Sequence, residues 1–133
     1  MPLTLLQVAG KTKYPADAFE FVQRGLEFTV RRLHGKPSKP VQVGIDASRH
    51  VTGQDLALGL RDFAIKQYGL LARAVLKHWN IHRTEDFGRI VFAMVESGLM
   101  HKTEHDRLDD FHNVFDFNEA FGSPLRLTEP RSA

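Results

Sequence analysis

The sequence predicts a single, mainly helical domain, and three observations carry that expectation. Apolar residues recur at three- and four-residue steps in four separate segments, the period of an amphipathic helix. Those segments run into Gly35, Gly69, Asn80 and Gly98, residues suited to the left-handed backbone that closes a helix. A chain of 133 residues, 42% hydrophobic and 26% charged, is long enough and apolar enough for one core.

The first helix is expected to start near Pro15, with Asp17 and Glu20 at the positive end of its dipole. Phe19, Val22, Leu26, Val30 and Leu33 form one apolar stripe, and Ala18, Phe21, Gly25 and Phe28 a second beside it. So wide an apolar face marks a core helix. Arg31 and Arg32 in the last turn and Gly35 beyond it are stop signals. Lys36-Pro37-Ser38-Lys39-Pro40 reads as a loop, and the alternation of Val41, Val43 and Ile45 permits one short strand. Thr52 caps a second helix that presents Leu56, Leu60, Phe63 and Ala64 and closes at Gly69. A short third helix, Leu70–Trp79, buries Leu71, Ala72, Val75, Leu76 and Trp79 and stops at Asn80. Thr84 is expected to cap a fourth, Thr84–Ser97, with Glu85 and Asp86 in its first turn and Phe87, Ile90, Val91, Met94 and Val95 facing inward.

Beyond Leu99 the period changes. Phe111, Asn113, Phe115 and Phe117 alternate with His112, Val114 and Asp116, which favours a β-hairpin with Leu99–Thr103 as the other strand. A helix through Leu108, Phe111 and Phe115 is the rival reading. A short helix, a tight turn, a longer helix and a hairpin resemble a winged helix-turn-helix over about Leu70–Phe117. Leu76, Trp79, Ile90 and Val91 would join its two helices. The domain is expected to span residues 1–121, with a loose tail over 122–133 that holds two prolines and few apolar residues.

A second resemblance covers nearly the whole chain. It rests on the blocks Tyr14-Pro15-Ala16-Asp17-Ala18-Phe19-Glu20-Phe21-Val22, His50-Val51-Thr52-Gly53-Gln54-Asp55-Leu56 and Thr84-Glu85-Asp86-Phe87-Gly88-Arg89-Ile90-Val91-Phe92. Val95-Glu96-Ser97-Gly98-Leu99, Lys102-Thr103-Glu104, Asp110-Phe111 and Phe115-Asp116-Phe117 follow in the same order. In these blocks the chain resembles a small family of uncharacterised proteins from Planctomycetes and Verrucomicrobia. The resemblance implies a shared fold and supplies no site. It also implies that residues 36–49 are a loop insertion, since family members join these blocks more directly.

Composition excludes several chemistries. With no cysteine there is no disulfide, thiolate nucleophile or Cys-ligated metal. The sequence has no apolar run of membrane-spanning length, and Met1–Leu6 lacks the basic region of a secretory signal. The cytoplasm is the expected location. No serine sits in a nucleophile elbow and no Gly-rich phosphate loop occurs. His101, His105 and His112 with Asp106, Asp109 and Asp110 are the best metal candidates, but they read more simply as a solvated polar loop. His82 with Glu85 or Asp86 is a candidate acid–base set, better explained by a helix start beside a turn. Trp79 and the phenylalanines read as core, and Tyr14 and Tyr68 as packing residues whose hydroxyls reach solvent. The chain is therefore expected not to be an enzyme, and to need no cofactor and no metal.

Two non-enzymatic readings remain. The favoured one is a protein-interaction or adaptor module, docking a partner or a second copy through ends of opposite charge. The other is weak, sequence-tolerant nucleic-acid binding through Arg31, Arg32, Lys36, Lys39, Arg73, Lys77, Arg83 and Arg89. A net charge of +2 permits it without arguing for it. Glu85 and Asp86 at the start of the would-be recognition helix would repel phosphates, so tight sequence-specific DNA binding is not expected.

Overall fold

The computed structural model describes residues 4–35, 51–103 and 106–122. Over these residues the protein is mainly helical: α1 (Leu5–Ala9), α2 (Ala16–His34), α3 (Gly53–Tyr68), α4 (Ala72–His78), α5 (Thr84–Glu96) and α6 (Phe117–Phe121). Two 3-10 turns, Gly69–Leu71 and Leu108–Phe111, lie before α4 and between α5 and α6. The expected strand at Val41–Ile45, the insertion at 36–49 and the tail from Ser123 lie outside the described residues.

Local signals account for most helix limits. Pro15 stands just before α2 in extended conformation, and Gly35 follows it at φ 80°. Thr52 Oγ1 accepts the Asp55 amide at 3.0 Å, and Gly69 follows α3 at φ 53°. Asn80 does adopt the left-handed conformation (φ 64°), and the Ile81 amide turns back to the Leu76 carbonyl. Two short helices lack a predictive apolar period but carry caps. Thr4 and Gln7 exchange hydrogen bonds at the start of α1, and Asp116 accepts the Glu119 amide at the start of α6.

Packing begins with α2 against α3, and glycine sets their close approach. A methyl group on Gly59 would lie 1.8 Å from Thr29 Oγ1, and one on Gly25 would lie 2.2 Å from Leu60 Cδ2. Thr29, fully buried, donates its hydroxyl back to the Gly25 carbonyl at 2.7 Å. The expected core positions Phe19, Leu26, Phe63, Leu76, Ile90 and Met94 are all buried. α5 lies against α1, α2, α3 and the second 3-10 turn, whereas α4 lies against α3 and α6.

That distribution corrects the winged-helix expectation. The Trp79 ring packs on Phe21 of α2 at 5.5 Å and Tyr68 of α3 at 6.0 Å. There is no β-hairpin; among the described residues no strand forms. The alternating segment loses strand geometry to local bonds. Asp110 Oδ2 accepts the Arg107 amide at 2.9 Å, and Asn113 is left-handed at φ 45°. The Phe111 ring instead fills the space above Gly53 and Gly88, where a Cβ would approach it at 3.0 Å and 2.8 Å. The rival reading, one helix through Leu108, Phe111 and Phe115, is also replaced by a 3-10 turn, a bend and α6.

Candidate docking groove between α2 and α3

Among the described residues two places gather polar side chains, and their chemistry differs. The first is buried at the start of α5. Asp86 is 2% exposed. Its Oδ1 accepts the Tyr14 hydroxyl and, at 2.7 Å, Arg89 Nη1; its Oδ2 accepts the amides of His82 at 2.8 Å and Arg83 at 3.2 Å. Burial alone would raise the pKa of this carboxyl, but the bonds from Tyr14, the His82 amide and Arg89 outweigh it and hold the pKa below the usual carboxylate value. Tyr14 is driven the other way, first by burial and then by its bond to Asp86, so its hydroxyl stays a donor. Both Asp86 oxygens are committed, two of their bonds to backbone at the helix start. This is a structural tie between the α1–α2 link and α5, and Asp86 has no free lone pair with which to act as a base.

These positions correct three sequence expectations. The Tyr14 hydroxyl is buried on Asp86 rather than in solvent. Thr84 does not cap α5; its hydroxyl donates to the Phe111 carbonyl at 2.7 Å and accepts the Val114 amide at 3.1 Å, tying the C-terminal segment to the helix. Asp86 is no surface acid, and Glu85 is partly buried and paired with His112 Nδ1 at 3.0 Å. Of the two carboxylates expected to repel phosphate, Asp86 has its charge offset by Arg89.

The second place is a groove on the surface between α2 and α3. Its floor is a run of aromatic rings: Trp79 to Phe21 at 5.5 Å, Phe21 to Phe63 at 5.5 Å, Phe63 to Phe28 at 5.4 Å. Near the start of α2 it forms a hollow of about 190 Å³ bordered by Asp17, Glu20, Tyr68 and Trp79. Toward the end of α2 it widens to about 570 Å³, bordered by Arg24, Glu27, Phe28, Arg31, Arg32 and Lys66. Phe63, Gln67 and Arg24 are common to both parts. The wide part therefore carries four cations against one carboxylate. Arg32 and Lys66 also sit over the half-buried Phe28 ring, at 5.3 and 5.4 Å from its centre. Arg32 is further engaged with Asp62 at 2.5 Å; burial raises the Asp62 pKa, but Arg61 and then Arg32 outweigh it and hold it below the usual value.

The predicted cationic residues do not form one surface. Arg31 and Arg32 share the groove; Lys36 and Lys39 lie outside the described residues. Arg73 lies over the Phe117 ring at 5.3 Å, and its Nε and Nη1 are buried without a hydrogen-bond partner among the described residues. Lys77 and Arg83 are exposed on α4 and at the start of α5, and Arg89 is held by Asp86. Arg24 and Lys66 are the groove residues that the sequence reading missed. Arg24 was legible, seven residues before Arg31 on the same exposed face. Lys66 was not, because only the pairing of α3 with α2 brings it there.

The polar-loop residues are also dispersed. His101 is exposed, His112 pairs with Glu85, and Asp106 Oδ2 accepts the Thr103 amide at 2.7 Å; His105 lies outside the described residues. Among the described residues no group of three or more His, Asp or Glu side chains could hold a metal ion, and no helix is long and apolar enough to cross a membrane. No protein-family model matches the sequence, and it has no match among curated proteins or among solved structures.

Proposed function

We propose that this protein is a non-enzymatic interaction module that docks a protein helix along the α2/α3 face. One observation carries the reading: the aromatic-floored groove, acidic at one end and basic at the other, is shaped like a site for an amphipathic helix. Fixed charges along such a groove select the partner and its direction, while the aromatic floor supplies apolar contact. A continuous basic stripe through Arg73, Lys77 and Arg83 would have supported nucleic acid; Arg73 instead lies against Phe117. Leu70, 80% exposed, and Leu71, 53% exposed, add apolar surface beyond α3 of the kind that protein partners cover.

The test is affinity capture by the full chain from native lysate, with and without nuclease, alongside Phe28→Ala/Lys66→Glu. The expected result is a protein captured regardless of nuclease and lost with the variant, whose melting curve reports that it still folds. Capture that disappears with nuclease would replace this reading with weak, salt-dependent nucleic-acid binding.

A further inference from the structure

We propose that the helix occupying this face is α2 of a second copy, running antiparallel about a two-fold axis. The inference rests on reading the α2/α3 face as a docking surface and names its occupant.

The exposed side of α2 carries Asp17, Glu20, Arg24, Glu27, Arg31 and His34. Their spacing alternates between three and four residues, so they form one stripe along the helix. All six are exposed, whereas Ala18, Phe19, Phe21, Val22, Gly25, Leu26, Thr29 and Val30 fill the opposite, buried side. The order of signs is the informative part. Laid antiparallel with the axis between positions 25 and 26, the stripe meets its own copy in complementary fashion. Glu20 faces the partner's Arg31 and Arg24 faces the partner's Glu27. Symmetry repeats each pair, as an isologous interface requires.

Other arrangements pair fewer opposite charges. A parallel pair sets every residue against itself. Sliding the antiparallel pair by a heptad one way keeps Glu20 on the partner's Arg24 but sets Asp17 against the partner's Glu27, and the other way keeps only Glu27 on the partner's Arg31. Half-heptad slides place Arg24 on the partner's Arg24, or Glu27 on the partner's Glu27. The register centred between positions 25 and 26 forms the most pairs of opposite sign, four among Glu20, Arg24, Glu27 and Arg31, and none of like sign.

The groove gives the second helix a seat. Arg24, Glu27 and Arg31 border its wide part, and Phe28 lies beside them, half-buried. Within one chain Arg24 reaches Glu20 only at 4.0 Å, with both side chains more than half exposed. The interface is polar, so association is weak and strongly salt-dependent.

The experiment is sedimentation equilibrium of the full chain at low and high salt, with two charge-swapped variants. Glu20→Arg/Glu27→Arg leaves cations along most of the stripe, and Arg24→Glu/Arg31→Glu leaves anions. All four positions are exposed, and circular dichroism checks that each variant folds. The wild-type chain is expected to dimerise at low salt and dissociate at high salt. Each variant alone should raise the dimer dissociation constant at least tenfold, and their equimolar mixture should restore a dimer. A wild-type chain that stays monomeric at low salt, or variants that dimerise alone as well as the wild type does, overturns the proposal. A monomer that still captures a nuclease-resistant protein, lost with Phe28→Ala/Lys66→Glu, removes the second copy and leaves the docking function standing. Loss of that capture in a protein whose charge-swapped mixture does dimerise separates the two readings the other way.

Discussion

Replacing Asp86 with alanine tests whether the buried carboxylate holds the fold together. The Tyr14 hydroxyl, buried with it, loses its acceptor, a cost of about 1–3 kcal/mol. The His82 and Arg83 amides lose their cap, for about 0.5–2 kcal/mol. Arg89 is half exposed, so its lost pairing is discounted to about 1 kcal/mol or less. The expected total is about 3–5 kcal/mol, a large share of the roughly 5–15 kcal/mol available to a domain. Urea unfolding at neutral pH, followed by helical circular dichroism, measures it. Tyr14→Phe alone should cost about 1–3 kcal/mol. The double variant should be little worse than Asp86→Ala, because the orphaned hydroxyl is then gone. A destabilisation below about 1 kcal/mol for Asp86→Ala, or full additivity in the double variant, would refute the account of this network.

Gly59→Ala should destabilise by about 1–3 kcal/mol, because its methyl group would collide with Thr29 at the α2/α3 contact; a thermal melt reads the shift. Thr84→Val keeps the shape but strips the donor from the Phe111 carbonyl and the acceptor from the Val114 amide. It should cost about 1–3 kcal/mol, with faster amide exchange concentrated in the segment from Leu108 to Phe117. The pH dependence follows from Asp62, Glu85 and Asp86, whose folded pKa values all lie below their ordinary ones. A depressed carboxylate binds its proton more readily in the unfolded chain. The stability from these groups is therefore fully present above the ordinary carboxylate range and is lost as pH falls through their folded values. Urea midpoints should hold from neutral pH to about 5 and fall steeply below about 4; an unchanged midpoint at about pH 3 would contradict the assignment.

Where burial follows a helical period within one segment, the sequence was sufficient. Phe19, Leu26, Phe63, Leu76, Ile90 and Met94 lie on apolar stripes at least as long as a helix turn, and all are buried. Five-residue helices have too few residues to show a period, so α1 and α6 were legible only through their capping pairs, Thr4 with Gln7 and Asp116 with Glu119. The Phe111–Phe117 alternation misled for another reason. A strand exists only with a partner, and here Gly53 and Gly88 open a space for the Phe111 ring that a hairpin would have left empty. The lack of a Cβ at two positions distant from Phe111 in the chain decided the conformation of the segment around it.

The same distinction separates the two polar places. Position in the first turn of α5 marks Asp86 as a dipole-compensating surface acid, yet it is buried because Tyr14, 72 residues earlier, covers it. No local pattern carries that contact. The exposed charges of α2 are the opposite case, since their spacing and order of sign can be read from the sequence directly. What such a stripe binds is a property of two surfaces, and only a stripe that is its own complement specifies both. Glu20, Arg24, Glu27 and Arg31 read the same after exchange of sign and reversal of direction. Reversing the sign of any one of them removes that property while leaving the helix and its buried face untouched. The oligomeric state of the full chain is therefore more sensitive to the sign order of these four residues than its stability is, since exposed substitutions usually change stability by no more than about 0.5 kcal/mol.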